Sequence, residues 1–139
     1  MNQYFGFFIE RREYAAIFIR LIVGFHLIYG VMDNVLSWDR MLEFTVFLEA
    51  RQFPLPLAGA VISVWVQFIA AVLIIIGFQT RLAALLLIVN FIAAIIIAHI
   101  GDAYPNMFPA LLMLAAGCFF LFHGAGKVSI DDWLETRAN

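Results

Sequence analysis

The chain of 139 residues is 65% hydrophobic and 13% charged, with a mean hydropathy of +0.98 and a formal net charge of −2. Soluble globular domains carry about a quarter charged residues, so this composition is that of an integral membrane protein, and the absence of basic clusters excludes nucleic acid as an expected partner. A single cysteine, Cys118, rules out an intramolecular disulfide and a C-x-x-C redox pair.

In chain order, the opening residues mix aromatics with Glu10, Arg11, Arg12 and Glu13, as an interfacial lead-in does. No short apolar core followed by a small-residue cleavage site is present, so the first span is expected to stay uncleaved. That span runs from about residue 14 to 32, long enough to cross a hydrocarbon layer of about 30 Å. It carries Arg20, His26 and, at its far end, Asp33. On a helix His26, Tyr29, Gly30 and Asp33 form one polar and small stripe, which the other spans are expected to cover because ionisable groups in lipid are usually aimed inward.

Residues 33–57 are too polar to cross. Ser37 can cap an amphipathic surface helix over about 38–51, with Trp38, Met41, Leu42, Phe44 and Leu48 on one side and Asp39, Arg40 and Glu43 on the other, ended by Pro54 and Pro56. The second span covers about 57–78, and Gly59, Ser63, Gln67 and Ala71 repeat along it every four residues. After the tight turn at Gln79-Thr80-Arg81, the third span covers about 81–100, with Asn90, Ala94 and Ala98 again stepping by four. Such ridges let helices approach, and the two amides can hydrogen-bond across the contact. A loop, GDAYPN, leads to a fourth span over about 107–123 and a polar tail beginning GAGKVSIDDW. The fold class expected is all-α: a membrane four-helix bundle, in one domain over 1–139, with a surface helix between the first two spans. Six of the eight Lys and Arg residues fall at one side of this arrangement and only Arg40 and Arg51 at the other, so both termini are expected in the cytoplasm.

Counting residues from the span ends places His26, Gln67 and Asn90 near mid-membrane on three helices. They form either a ligand or proton site or a set of mutually satisfied packing groups. Toward the outer end Tyr29 and Asp33 are expected to face His99, Asp102 and Tyr104; interfacial anchoring suits this group better than a metal, and no metal is expected. At the inner end Arg20, Arg81, His123 and Lys127 form a positive rim suited to a lipid phosphate or expressing the positive-inside bias, with Arg20 snorkelling outward. A snorkelling Arg20 tolerates Lys, whereas one forked onto a buried acceptor does not. Cys118 reads as a small packing residue. No nucleophile with an adjacent base, phosphate loop or haem motif is present, so an unaided enzymatic mechanism is not expected.

From Arg20 to Trp133 the chain resembles the DoxX-like integral membrane proteins, which are small four-span bundles. The matching pieces are Arg20, Gly24 and Gly30; the FLEARQFPLP stretch; Gly77, Thr80 and Arg81; Ala98-His99; and the tail HGAGKVSID, similar to a GPGRYSLD signature. Three positions depart from the pattern: Tyr29-Gly30 and Asp33 stand where His-Gly and Lys are frequent, Gln67 where an acidic residue is common, and Gly124-Ala125-Gly126 where Gly-Pro-Gly is usual. The resemblance implies an inner (plasma) membrane location and, through the subunit that gives the family its name, association with a quinone-linked oxidoreductase. Distant four-span relatives act as membrane chaperones or cargo receptors.

Together these readings suggest a bundle in contact with lipid and with a protein partner or a second copy, holding no cofactor of its own. Its polar interior would take a quinone or another hydrophobic molecule. His26, Gln67 and Asn90 would bond a carbonyl-type oxygen, while Tyr29, Asp33 and His99 would form the wet path for protons. The alternative is a non-enzymatic scaffold, chaperone or assembly factor. A proton or solute carrier is disfavoured by the lack of a mid-membrane carboxylate and of an unwound helix break.

Overall fold

Four apolar stretches set the architecture, each near the roughly 20 residues a membrane crossing takes. The computed structural model describes residues 4–138, and all regular structure among them is helical. A short helix α1 (Gly6–Glu10) and a 3-10 turn (Arg12–Tyr14) lead into α2 (Ala15–Leu36), the first span. It ends four residues later than expected, because helical geometry persists until Ser37 turns extended. The Ser37 hydroxyl then accepts from the Arg40 amide at 3.5 Å and starts α3 (Trp38–Ala50), the surface helix. Met41 and Leu48 are buried there and Phe44 is half-buried, whereas Trp38 and Leu42 of the same expected side remain exposed.

The second span, α4 (Pro56–Ile76), begins on a proline whose missing N–H costs a first turn nothing. It ends at Gly77, in the left-handed region at φ 67°. The third span is α5 (Thr80–Ala94) continued by a π-helical turn (Ile95–His99). The fourth, α6 (Tyr104–His123), starts three residues before the expected Met107 because Pro105 also fits a first turn. The tail expected only to be polar forms α7 (Ile130–Ala138).

Packing runs in a row, α2 on α4, α4 on α5 and α5 on α6, while α2 touches α6 only slightly. The main core joins Val23 and Leu27 to Ile74, Leu87, Met113 and Phe120; a smaller cluster joins Val31, Met41, Leu48, Ala60 and Val64 under α3. Since lipid is as apolar as these side chains, close fit rather than water exclusion holds the helices together. Gly24 shows the fit: a Cβ there would run into Ile75 and lie 3.2 Å from the Ala71 carbonyl oxygen. The buried face of α2 is therefore Ala16, Arg20, Val23, Gly24, Leu27 and Val31.

Candidate functional site

That choice of face overturns the expectation for the first span. At about 100° per residue, His26 lies roughly 120° around the helix from Arg20. His26, Tyr29, Gly30 and Asp33 are all exposed, Tyr29 at 75%. Among the described residues no other helix covers the stripe; Tyr29 stacks on Phe25 of its own helix, and a Cβ on Gly30 would meet nothing within 4 Å. The mid-membrane trio of His26, Gln67 and Asn90 is thus not assembled, and Tyr29 and Asp33 join no common path with His99. Tyr104, also expected there, is exposed and contacts Phe108. Cys118 is exposed too, while Ala116 and Gly117 beside it take the packing role.

Arg20 departs from its expected snorkelling pose. It is only 2% exposed and donates four hydrogen bonds to backbone carbonyls: Nε to Ile74 at 2.8 Å, Nη2 to Ile75 at 2.6 Å, and Nη1 to Val128 at 3.0 Å and Ala125 at 3.3 Å. The last carbonyls of a helix have no partner within it, and the dipole there favours a cation. The planar fork of Arg20 serves both the end of α4 and the loop before α7, a distribution of donors that an ammonium group lacks.

The rest of the rim expected at the inner end is also engaged internally. Arg81 donates to the carbonyls of Leu121 at 2.7 Å and Phe122 at 3.1 Å, closing the end of α6. Lys127 meets Asp132 at 2.6 Å, and this hydrogen bond together with the Asp132 charge raises the lysine above its ordinary value. His123 lies 3.9 Å from Glu13 and stacks on Phe119. Asp131, which sequence reading did not single out, accepts from the amides of Gln79 at 2.8 Å and Thr80 at 3.0 Å, while its own N–H donates to the Gly77 carbonyl at 2.8 Å. Its carboxylate caps α5 from the tail. The ≈ 490 Å³ polar hollow at this end is lined largely by these paired groups.

The other polar residues converge elsewhere. A groove of ≈ 570 Å³ lies between α3, α4 and α5, with Gln67, Asn90 and His99 all on its wall. Both predicted small-residue ridges reach it, Gly59 and Ser63 from α4, Ala94 from α5 and Ala98 from the π turn, while Gly59 also packs closely on Phe53 and Ala71 of the same ridge is buried in the core. Phe44, Phe47 and Leu48 of α3 and Phe53 bound one side. Ile62 and Val89 on its rim are 62% and 61% exposed, so the groove opens toward the surface that the spans present to lipid.

The π turn is what brings His99 round. Nine residues of uninterrupted α-helix separate positions by about 180°, which would put His99 opposite Asn90. The wider π turn, holding one extra residue, brings it to within roughly 90°. Nothing in the run Ile95–Ile97 announces this in the sequence.

Each polar group keeps some capacity unused. Gln67 Nε2 donates to Ser63 O at 3.3 Å and Ser63 Oγ at 3.2 Å, which leaves its amide oxygen without a donor among the described residues. Asn90 Nδ2 is buried and unpaired. His99 Nδ1 lies 3.1 Å from Asp102 Oδ2, both residues about a quarter exposed, and the Asp102 amide donates to the His99 carbonyl at 3.0 Å. That carboxylate favours the tautomer protonated on Nδ1 and leaves Nε2 an acceptor. Among the described residues, no cluster of three or more His, Cys, Asp or Glu side chains is placed to hold a metal ion.

A row of four spanning helices with a lateral, mostly apolar groove defines a multi-pass membrane protein. The chain belongs to the DoxX family, whose model matches residues 15–100. It is also 31% identical over 138 residues to the inner membrane protein YphA of Escherichia coli (strain K12), across 93% of this chain and 96% of that one. No solved structure matches. Family and relative together make it a multi-pass protein of the inner membrane.

Proposed function

We propose that this protein binds a neutral, hydrophobic redox molecule such as a quinone in the lateral groove, as a subunit of a membrane oxidoreductase complex whose partner supplies the electrons. The observation that carries this reading is the convergence of Gln67, Asn90 and His99 on one apolar groove, each with hydrogen-bonding capacity left over. Pockets of this size, apolar with a few converging polar groups, are the usual form of small-molecule sites. No Lys, Arg, Asp or Glu lines the groove, which favours an uncharged ligand, and the open rim at Ile62 and Val89 suits entry from the hydrocarbon. A bound ring would meet the two amides within the membrane and the His99–Asp102 pair at the mouth. Electron transfer would belong to the partner's redox centre, and protons would leave through His99. With both termini cytoplasmic, as the Lys and Arg distribution favours, that mouth faces the outer side.

The test is equilibrium binding of decylubiquinone to the protein in lipid nanodiscs, followed by tryptophan quenching. Asn90→Leu, which removes the unpaired Nδ2 that can donate to a carbonyl, should weaken it at least fivefold, whereas Gln67→Leu, which removes an acceptor, and His26→Leu do not. Equal binding by all four proteins would remove the groove from the account.

One observation favours the scaffold reading instead: His26, Tyr29 and Asp33 lie uncovered along a spanning helix, where polar groups need partners. In that case a co-purifying protein, or a second copy, depends on this stripe, and His26→Leu with Tyr29→Leu releases it.

A further inference from the structure

The groove's polar atoms have a direction that a quinone does not match. Gln67 is oriented by its own helix: the Ser63 carbonyl oxygen can only accept, so the amide nitrogen must face it, at 3.3 Å, and the Ser63 hydroxyl oxygen at 3.2 Å takes the same nitrogen. What remains for a ligand is the amide oxygen, an acceptor. His99 is oriented by Asp102: with Nδ1–H on the carboxylate, what remains is Nε2, also an acceptor. Asn90 has no partner to fix it, and rotation about its terminal torsion lets it present either end. The two groups whose orientation the protein sets therefore both ask for a donor. A quinone carries only acceptor oxygens, whereas the corresponding hydroquinone carries two O–H donors.

Resting on the groove reading above, we propose that the site is selective for the reduced, hydroxyl-bearing form of its ligand: a hydroquinone or similar phenol donates one O–H toward Gln67 Oε1 or Asn90 Oδ1 and another toward His99 Nε2. The oxidised form leaves these acceptors facing acceptors, and an unpaired polar contact in an apolar groove is costly.

The experiment compares decylubiquinol and decylubiquinone binding to the full chain in nanodiscs, under anaerobic conditions, at pH 8. The expected result is at least tenfold tighter binding of the quinol, a gap that narrows in Gln67→Leu. Binding of neither form overturns the groove reading itself. Binding of both forms equally at pH 8, or tighter binding of the quinone, leaves that reading standing and overturns the selectivity. A quinol preference unchanged in Gln67→Leu also overturns it, because the preference would then come from groups other than these acceptors.

Discussion

At the end of the bundle that carries both termini, nearly every polar side chain is matched: Arg20 and Arg81 close the ends of α4 and α6, Asp131 caps α5, and Lys127 meets Asp132. In the groove toward the other end, Gln67, Asn90 and His99 each retain unused capacity beside open space. Both regions belong to the same four helices and are built on small-residue contacts, so fold class does not separate them. The difference lies in what the polar groups meet. At the end that carries the termini they join segments distant in sequence, as Arg20 joins α4 to the loop before α7, and hold the helix ends in register. In the groove Gln67 and His99 bond only within their own helix or turn, and the Asn90 amide nitrogen bonds nothing among the described residues. The match at the first end is not perfect, since Thr80 Oγ1 there is buried without a partner. The contrast nevertheless puts the polar contacts that tie segments together at one end and the unused polar capacity at the other.

The largest break in that contrast comes from Arg20→Leu. It removes four hydrogen bonds and takes a donor from the carbonyls of Ile74, Ile75, Ala125 and Val128 in a site that is 2% exposed. A buried acceptor left unpaired costs about 1–3 kcal/mol. Thermal unfolding in detergent, followed by size-exclusion recovery, should show a drop of many degrees. Arg20→Lys should recover only part of it, because one ammonium cannot serve both α4 and the tail loop. Full recovery by Lys would mean that charge alone holds this end.

Next in size are Asp131→Ala and Gly77→Ala. The first uncaps α5, at about 1–2 kcal/mol. The second places a Cβ against Ser129 and 2.8 Å from Arg20 Nη2, at a φ of 67° that L residues rarely adopt, with a cost of about 1–3 kcal/mol. Both should loosen the tail, read as faster amide exchange across α7. The Lys127–Asp132 pair contributes less and does so with a defined sign. Its folded value is raised above the ordinary 10.5, so its contribution is complete below that pH and is lost only as pH climbs through the folded value. Stability at this end should therefore be flat in pH through neutrality as far as this lysine is concerned. Removal of the pair by Lys127→Met should leave the shape of the curve unchanged from neutrality up to about pH 9.

Spans, surface helix and turn residues were readable because hydropathy and Pro or Gly punctuation register along the chain. Boundaries moved only by the few residues that Ser37, Pro56 and Pro105 decide. Helix faces were not readable in the same way. In lipid the outer face of a helix is as apolar as its core, so a hydrophobic stripe no longer marks the inside. The rule that polar groups point inward then assigned His26 to the interior, while the interior had already been filled by Arg20, Val23, Gly24 and Leu27. A usable signal was present in the tail: a motif of two glycines, a lysine, a serine and Asp131 matching a family signature implies a folded segment, and a folded tail needs something to hold it. Gln67 and Asn90 were found from their ridges, but the π turn that carries His99 toward them depends on tertiary packing that no residue in Ile95–His99 encodes alone.

The smallest expected effect sharpens the contrast most. If Asn90 served only to hold helices together, Asn90→Leu would remove a stabilising bond and lower the melting temperature. Its Nδ2 is buried without a partner, so the amide pays a desolvation cost with no return. Leucine has a similar size and no polar atoms. The substitution should therefore leave stability within about 1 kcal/mol of the parent or raise it, while binding of a hydrophobic ligand falls. A polar residue whose removal stabilises the fold and weakens a ligand is one kept for the ligand. A clear loss of stability with binding intact would instead make the groove region a packing surface like the end that carries the termini.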